Sequence, residues 1–163
     1  MNPPTSIRPS PQRPSRYPWD LRGLLLVRPS VGMLMDLCEE NYRWLHRLAP
    51  GLPSLHGRHL YRRPGRMDLH LEVLEQTRYT TLIHLTYYFD HQQGQRPDPA
   101  AQVRAYHDSR QAEILELQQT ALPVERAFFH PALEQKWRAN LFLSKWLCYC
   151  VTQGHRFGAG EDR

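Results

Sequence analysis

Two runs of alternating apolar and polar residues occupy the middle of the chain. Leu69, Leu71 and Val73 alternate with Asp68, His70 and Glu72; then Tyr79, Thr81, Ile83, Leu85, Tyr87 and Phe89 alternate with Thr80, Leu82, His84, Thr86 and Tyr88. A period of two sends successive side chains to opposite faces, so the runs predict an antiparallel hairpin over residues 67–75 and 79–89 with one apolar face. The polar residues Glu75, Gln76, Thr77 and Arg78 turn the chain between them.

Helical spacing brackets this hairpin. Leu34, Leu37, Cys38, Asn41, Trp44, Leu45 and Leu48 fall at i, i+3, i+4, i+7 positions, predicting a helix from about Val31 to Leu48. Ser30 can cap it, and Pro50, Gly51 and Pro53 end it. Near the other end, Leu133, Trp137, Leu141, Ser144, Leu147, Cys148 and Val151 form a second stripe, widened by Phe142, Leu143, Trp146 and Cys150. Pro131 suits its first turn and Gly154 its C-terminal cap. So little polar surface remains that this helix belongs in the core. Between these landmarks a short strand is expected at about 59–62, then a Pro64-Gly65 turn. Residues 94–99 read as a loop and 102–107 as a strand. Residues 112–119 fit neither period cleanly and are read as a strand returning after an Asp108-Ser109-Arg110 turn.

The sum is an α+β domain: an antiparallel sheet of about four to five strands, with N- and C-terminal helices packed on one face. The domain is expected over residues 29–155, after a disordered proline- and arginine-rich tail at 1–28 and before a flexible C-terminus at 156–163. Residues 1–30 hold seven prolines and few apolar groups, too few to repay chain ordering. In this stretch Leu24-Leu25-Leu26-Val27 reads as an anchor tucked against the domain, being too short for a signal-peptide core.

Charge and cysteine usage narrow the function classes. The net charge of +5 invites a nucleic-acid reading, but residues 1–30 carry five arginines against one aspartate, leaving the rest near neutral. Such a tail can touch phosphates weakly without forming a basic groove, so specific nucleic-acid binding is not expected. Cys38, Cys148 and Cys150 are odd in number and lack Cys-x-x-Cys spacing, which points to free thiols in the cytoplasm. No apolar run approaches the ~20 residues of a membrane span.

Four strings fix a resemblance: Leu37-Cys38-Glu39-Glu40-Asn41-Tyr42, Gln76-Thr77-Arg78-Tyr79-Thr80-Thr81, Val103-Arg104-Ala105-Tyr106-His107-Asp108 and the Trp146-Leu147-x-Tyr149-Cys150 helix. In this order they resemble the YqiB-like family of proteobacterial domains of unknown function, over roughly residues 26–155. The resemblance implies no activity, cofactor or catalytic residue, and the proline-rich start departs from its pattern.

Candidate chemistry is sparse. A three-residue loop at 76–78 would set His70 directly across from His84, flanked by Asp68 and Glu72, with facing Cβ atoms ~5 Å apart. Two imidazoles and two carboxylates can hold a metal ion; a solvated polar face is the simpler reading. Tyr106-His107-Asp108 suggests an imidazole oriented by a carboxylate, yet neighbouring strand residues point to opposite faces, and Asp108 can instead bond its own turn. Arg78, Tyr79, Arg104 and His107 are a candidate pocket for an anionic group, with Arg104 and Tyr106 on one face. Asn41 in an apolar stripe reads as a buried, satisfied amide. Trp44, Trp137 and Trp146 read as core aromatics.

No nucleophile–base pair, glycine-rich phosphate loop or dense ligand spacing stands out. The expectation is therefore a cytoplasmic, non-enzymatic binding or regulatory module without a cofactor, acting through its open sheet face and hairpin loop on a protein or small anionic ligand. The alternatives are an enzyme using His70, His84 and nearby carboxylates, or weak nucleic-acid contact through the tail.

Overall fold

The structure is a computed structural model that describes residues 28–119 and 132–158. Residues 1–27, with Leu24-Leu25-Leu26-Val27, and Pro131 lie outside them. Helix α1 (Val31–Leu48) leads into a short 3-10 turn (Leu52–Ser54), five strands and helix α2 (Ala132–Thr152). The strands are β1 (Arg58–Tyr61), β2 (Leu69–Gln76), β3 (Thr80–His91), β4 (Gly94–Tyr106) and β5 (Gln111–Gln118), paired antiparallel in chain order. The expected α+β architecture is thus present, with five strands.

Local chemistry explains the helix ends. Ser30 Oγ accepts the Met33 N–H at 3.2 Å, capping α1, while His46 and Arg47 sit in its last turn beside the negative end of the helix dipole. After α2, Gly154 has φ +85°; its N–H donates to Val151 O at 3.0 Å, and His155 N–H donates to Cys150 O at 3.0 Å. That pair of bonds is a Schellman closure, which needs a left-handed residue at this point.

Both helices cover one face of the sheet. Leu69, Leu71, Ile83, Leu85, Tyr87, Val103 and Ala105 are buried against Tyr42, Leu45, Phe142, Leu143, Trp146 and Cys150. The helices run the same way: Asn41 meets Asn140, and Leu48 O accepts from Phe157 N–H at 2.7 Å just beyond α2. Phe157, placed by sequence in the trailing residues, is buried in the core.

Four expectations are corrected. Residues 94–99 are not a loop: Gly94 pairs with His91 across Gln92-Gln93, so β3 and β4 extend past their neighbours as a two-stranded ribbon. Pro97 and Pro99 are tolerated there because, among the described residues, no third strand pairs with this part of β4 and requires their N–H groups. The hairpin turn is 77–79, and a bulge between Val73 and Glu75 shifts the register, so His70 faces Thr86 and Glu72 faces His84. The bulge absorbs Leu74, which is exposed. On α2 the buried stripe is rotated to Asn140, Phe142, Leu143, Ser144, Trp146, Leu147 and Cys150, leaving Leu133, Trp137, Leu141, Cys148 and Val151 half-buried. Of the three tryptophans expected in the core, Trp146 is enclosed, whereas Trp44 and Trp137 are half-buried.

Candidate functional site at the turn end of the sheet

The β2–β3 turn and the β4–β5 turn lie side by side, joined by His107 N–H donating to Tyr79 O at 2.8 Å. The first turn is held by its threonines: Thr77 N–H donates to Thr80 O at 2.9 Å, and Thr80 N–H to Thr77 Oγ1 at 3.1 Å. Beneath these turns runs a chain of polar side chains. Gln76 Nε2 donates to Leu52 O and Leu55 O, each at 2.9 Å, which turns its Oε1 towards Thr81. Thr81 Oγ1 donates to that oxygen and so accepts from His107 Nε2 at 2.7 Å. His107 Nδ1 is then left to accept the Tyr42 hydroxyl at 3.0 Å. One amide, anchored on two backbone carbonyls, thereby sets the direction of every bond as far as α1.

Burial pushes the His107 pKa down; His46 adds to that and Asp108 opposes it. The Tyr42 ring lies edge-on to His107 and stacked with His46, and the Arg110 guanidinium sits 5.8 Å from its centroid. In the neighbouring turn Arg78 lies 5.2 Å from the Tyr79 ring, which is 52% exposed. Asp108 does not orient His107; its Oδ1 accepts the Ser109 N–H at 2.9 Å.

The pocket expected from Arg78, Tyr79, Arg104 and His107 is divided by the sheet. His107 points towards α1, whereas Arg104 and Tyr106 occupy the open face, where Arg104 stands opposite Glu113. Tyr106 Oη donates to Glu113 Oε1 at 2.9 Å, and burial, followed by that bond, raises its pKa. Further along this face a row crosses all five strands: Arg58, Glu72, His84, Gln102 and Glu116. Arg58 Nε meets Glu72 Oε1 at 3.0 Å, and Gln102 Nε2 meets Glu116 Oε2 at 3.0 Å.

His70, His84, Thr86 and Tyr88 line a shallow depression of ≈ 210 Å³ beside this row. His70 stands edge-on to Tyr88, and burial lowers its pKa. The carboxylates expected to complete a metal site are bound elsewhere, Glu72 to Arg58 and Asp68 to Arg62 at 3.2 Å. No group of three or more His, Cys, Asp or Glu among the described residues is arranged to hold a metal ion.

Three strings that carried the sequence resemblance therefore meet at one place: Tyr42 from the first, Gln76 and Thr81 from the second, His107 from the third. Comparison with known proteins agrees with the resemblance. The family described as protein of unknown function (DUF1249) matches residues 44–156. The chain belongs to the DUF1249 family. It is also 29% identical over 137 residues to the uncharacterized protein YqiB of Escherichia coli K12, covering 77% of this chain and 91% of the relative. YqiB from strains O6:H1 and O157:H7 gives the same figures. No solved structure matches.

The DUF1249 match takes in Gln76, Thr81 and His107 but begins inside α1, two residues past Tyr42. Sequence reasoning gave no site role to Tyr42, His46 or Arg110. Tyr42 was within reach, since it extends the Cys38–Leu45 stripe by one helical step; nothing in the sequence marks Arg110. Among the described residues no helix is long and apolar enough to cross a membrane.

Proposed function

We propose that this protein is a cytoplasmic, non-enzymatic binding or regulatory module that grips an anionic group, on a protein or a small molecule, at the turn end of its sheet and the adjoining open face. The observation that carries the reading is the state of the arginines. Arg58 and Arg62 are each committed to a carboxylate. Arg78 and Arg110 lie on tyrosine rings, and among the described residues neither has an ion-pair partner. A guanidinium stacked on a ring keeps its N–H edge free for a planar, bidentate contact. Turns that display charged and aromatic side chains from a rigid sheet are where recognition surfaces gather.

The test is a melting-temperature survey of the full chain against carboxylate and phosphate anions, with chloride controls at matched ionic strength. At least one anion should raise the midpoint saturably, and the Arg78→Ala, Arg110→Ala double variant should lose that rise while keeping its own fold. An equal response to every anion in both proteins would sink the reading.

A further inference from the structure

Arg110 has φ 55°, and among the described residues it is the only non-glycine in the left-handed region. It closes the four-residue turn between the paired residues Tyr106 and Gln111. Glycine or asparagine serves this backbone position with less strain, because a β-carbon crowds the neighbouring carbonyl there. Among the described residues the guanidinium has no ion-pair partner to compensate, and it sits over the face of Tyr42. That ring is held by the hydrogen-bond chain running from Gln76 through Thr81 and His107 to its hydroxyl. Arg78 stands on the adjacent turn on its own ring, Tyr79. The nearby anion, Asp108, is occupied by the Ser109 N–H, and His46 lies against Tyr42.

We propose that Arg110 and Arg78 form a two-armed site for a phosphoryl group; this rests on the anion-recognition reading above and names its ligand chemistry. A carboxylate offers two oxygens in one plane and is satisfied by a single guanidinium fork. A phosphate monoester offers three terminal oxygens in tetrahedral array and up to two charges, so forks from two different turns can each take an edge. The free anion and a monoester share this chemistry and differ in the bulk behind the phosphorus.

The experiment is a titration of the 15N-labelled full chain with inorganic phosphate, phenyl phosphate and acetate at constant ionic strength, following amides 77–80 and 107–111. Phosphate and phenyl phosphate should shift these amides saturably, at least about ten-fold tighter than acetate. If only phenyl phosphate saturates, the natural ligand is a monoester; if both do, the free anion suffices. Arg110→Gly should lose at least about ten-fold in phosphate affinity while melting at or above the wild-type temperature, and Arg110→Asn should behave likewise. Wild-type affinity in both variants would overturn the proposal. Acetate binding as tightly as phosphate would also overturn it and leave the anion reading standing. If no anion moves these amides, both fall.

Discussion

Asn41 and Asn140 show how two buried amides can organise three elements. Asn41 is 0% exposed, and its Nδ2 donates to Asn140 O at 3.2 Å and Asn140 Oδ1 at 3.4 Å. Asn140 Oδ1 also accepts the Ile114 N–H at 3.0 Å, tying α1 to α2 and both to β5. Replacing Asn140 with alanine orphans a buried backbone N–H, so a loss of about 2–3 kcal/mol is expected in chemical denaturation. His155 makes a different commitment. It is buried between the rings of Tyr61 (5.0 Å) and Tyr87 (6.1 Å), with Nδ1 3.1 Å from Cys150 O. Burial pushes its pKa down, with Arg63 and Arg66 acting the same way against the Cys150 carbonyl. The unfolded chain therefore takes up this proton first as pH falls. Stability should be complete above about pH 6.5, the ordinary histidine value, and fall as the solution is acidified below it. His70 and His107 are shifted the same way. Melting curves between neutral and mildly acid pH should show the decline, with a shallower slope in His155→Phe; an unchanged slope would assign the effect to the other two. Of these residues, Asn41 was legible in the sequence as a buried amide, the one polar break in an apolar stripe, but not as a fully satisfied one, because its Oδ1 is buried and has no hydrogen-bond partner among the described residues. The His107 contacts were not, because they depend on which way the end of β4 faces α1.

Elements were more legible than their alignment. Periodicity and caps located α1, the central hairpin and the final helix, since a helix end or a strand alternation is written in neighbouring residues. Register is not local. A bulge needs only one extra residue, and its sole trace here is the consecutive apolar pair Val73-Leu74. A second irregularity between Thr86 and Tyr88 coincides with Tyr87-Tyr88-Phe89, where alternation also lapses. The extended ribbon was hidden for another reason: prolines argue against a strand unless its outer edge is free. For α2, Trp146 is 0% exposed and its ring lies 5.9 Å from Tyr87 and 6.3 Å from Phe142. Trp146→Ala should lower stability by about 3–5 kcal/mol, read from the denaturation midpoint, as for an aromatic removed from a packed interior. Gly154→Ala should cost about 1–2 kcal/mol, because its left-handed backbone disfavours a β-carbon that would also displace the Arg63 guanidinium. An unchanged midpoint would mean that the Schellman turn can be rebuilt.

Across the whole molecule, the sheet separates two different chemistries. One face is sealed by helices; the other pairs part of its charge across strands and within its edge, Arg58 with Glu72 and Arg62 with Asp68. β5 is an edge strand, and its bulge between the Val103 and Gln102 pairings leaves exposed Leu115 without a partner on β4. A bulge of this kind twists an edge away from pairing with another sheet. The family match begins at residue 44, yet Asn41 and Tyr42 are buried and bonded to α2 and the β4–β5 turn. A chain beginning at residue 44 should therefore fail to fold cooperatively, while one beginning at residue 29 should melt within a few degrees of the full chain. Circular dichroism of the two truncations decides this.

The order of the strands has a kinetic consequence. Every strand pairs with its neighbour in sequence, so the sheet can assemble through short loop closures. The bond between Asn41 and Asn140 instead joins positions 99 residues apart. Closing so long a loop before the sheet exists forfeits more chain entropy than the contact returns. Hairpins should form first and the helix pair dock last, making the helices the first to detach under native conditions. Hydrogen exchange should then show α1 and α2 amides opening together at lower free energy than those of β3 and β4. The surface such an opening uncovers is the apolar face of the sheet, the part of the molecule most prone to aggregate.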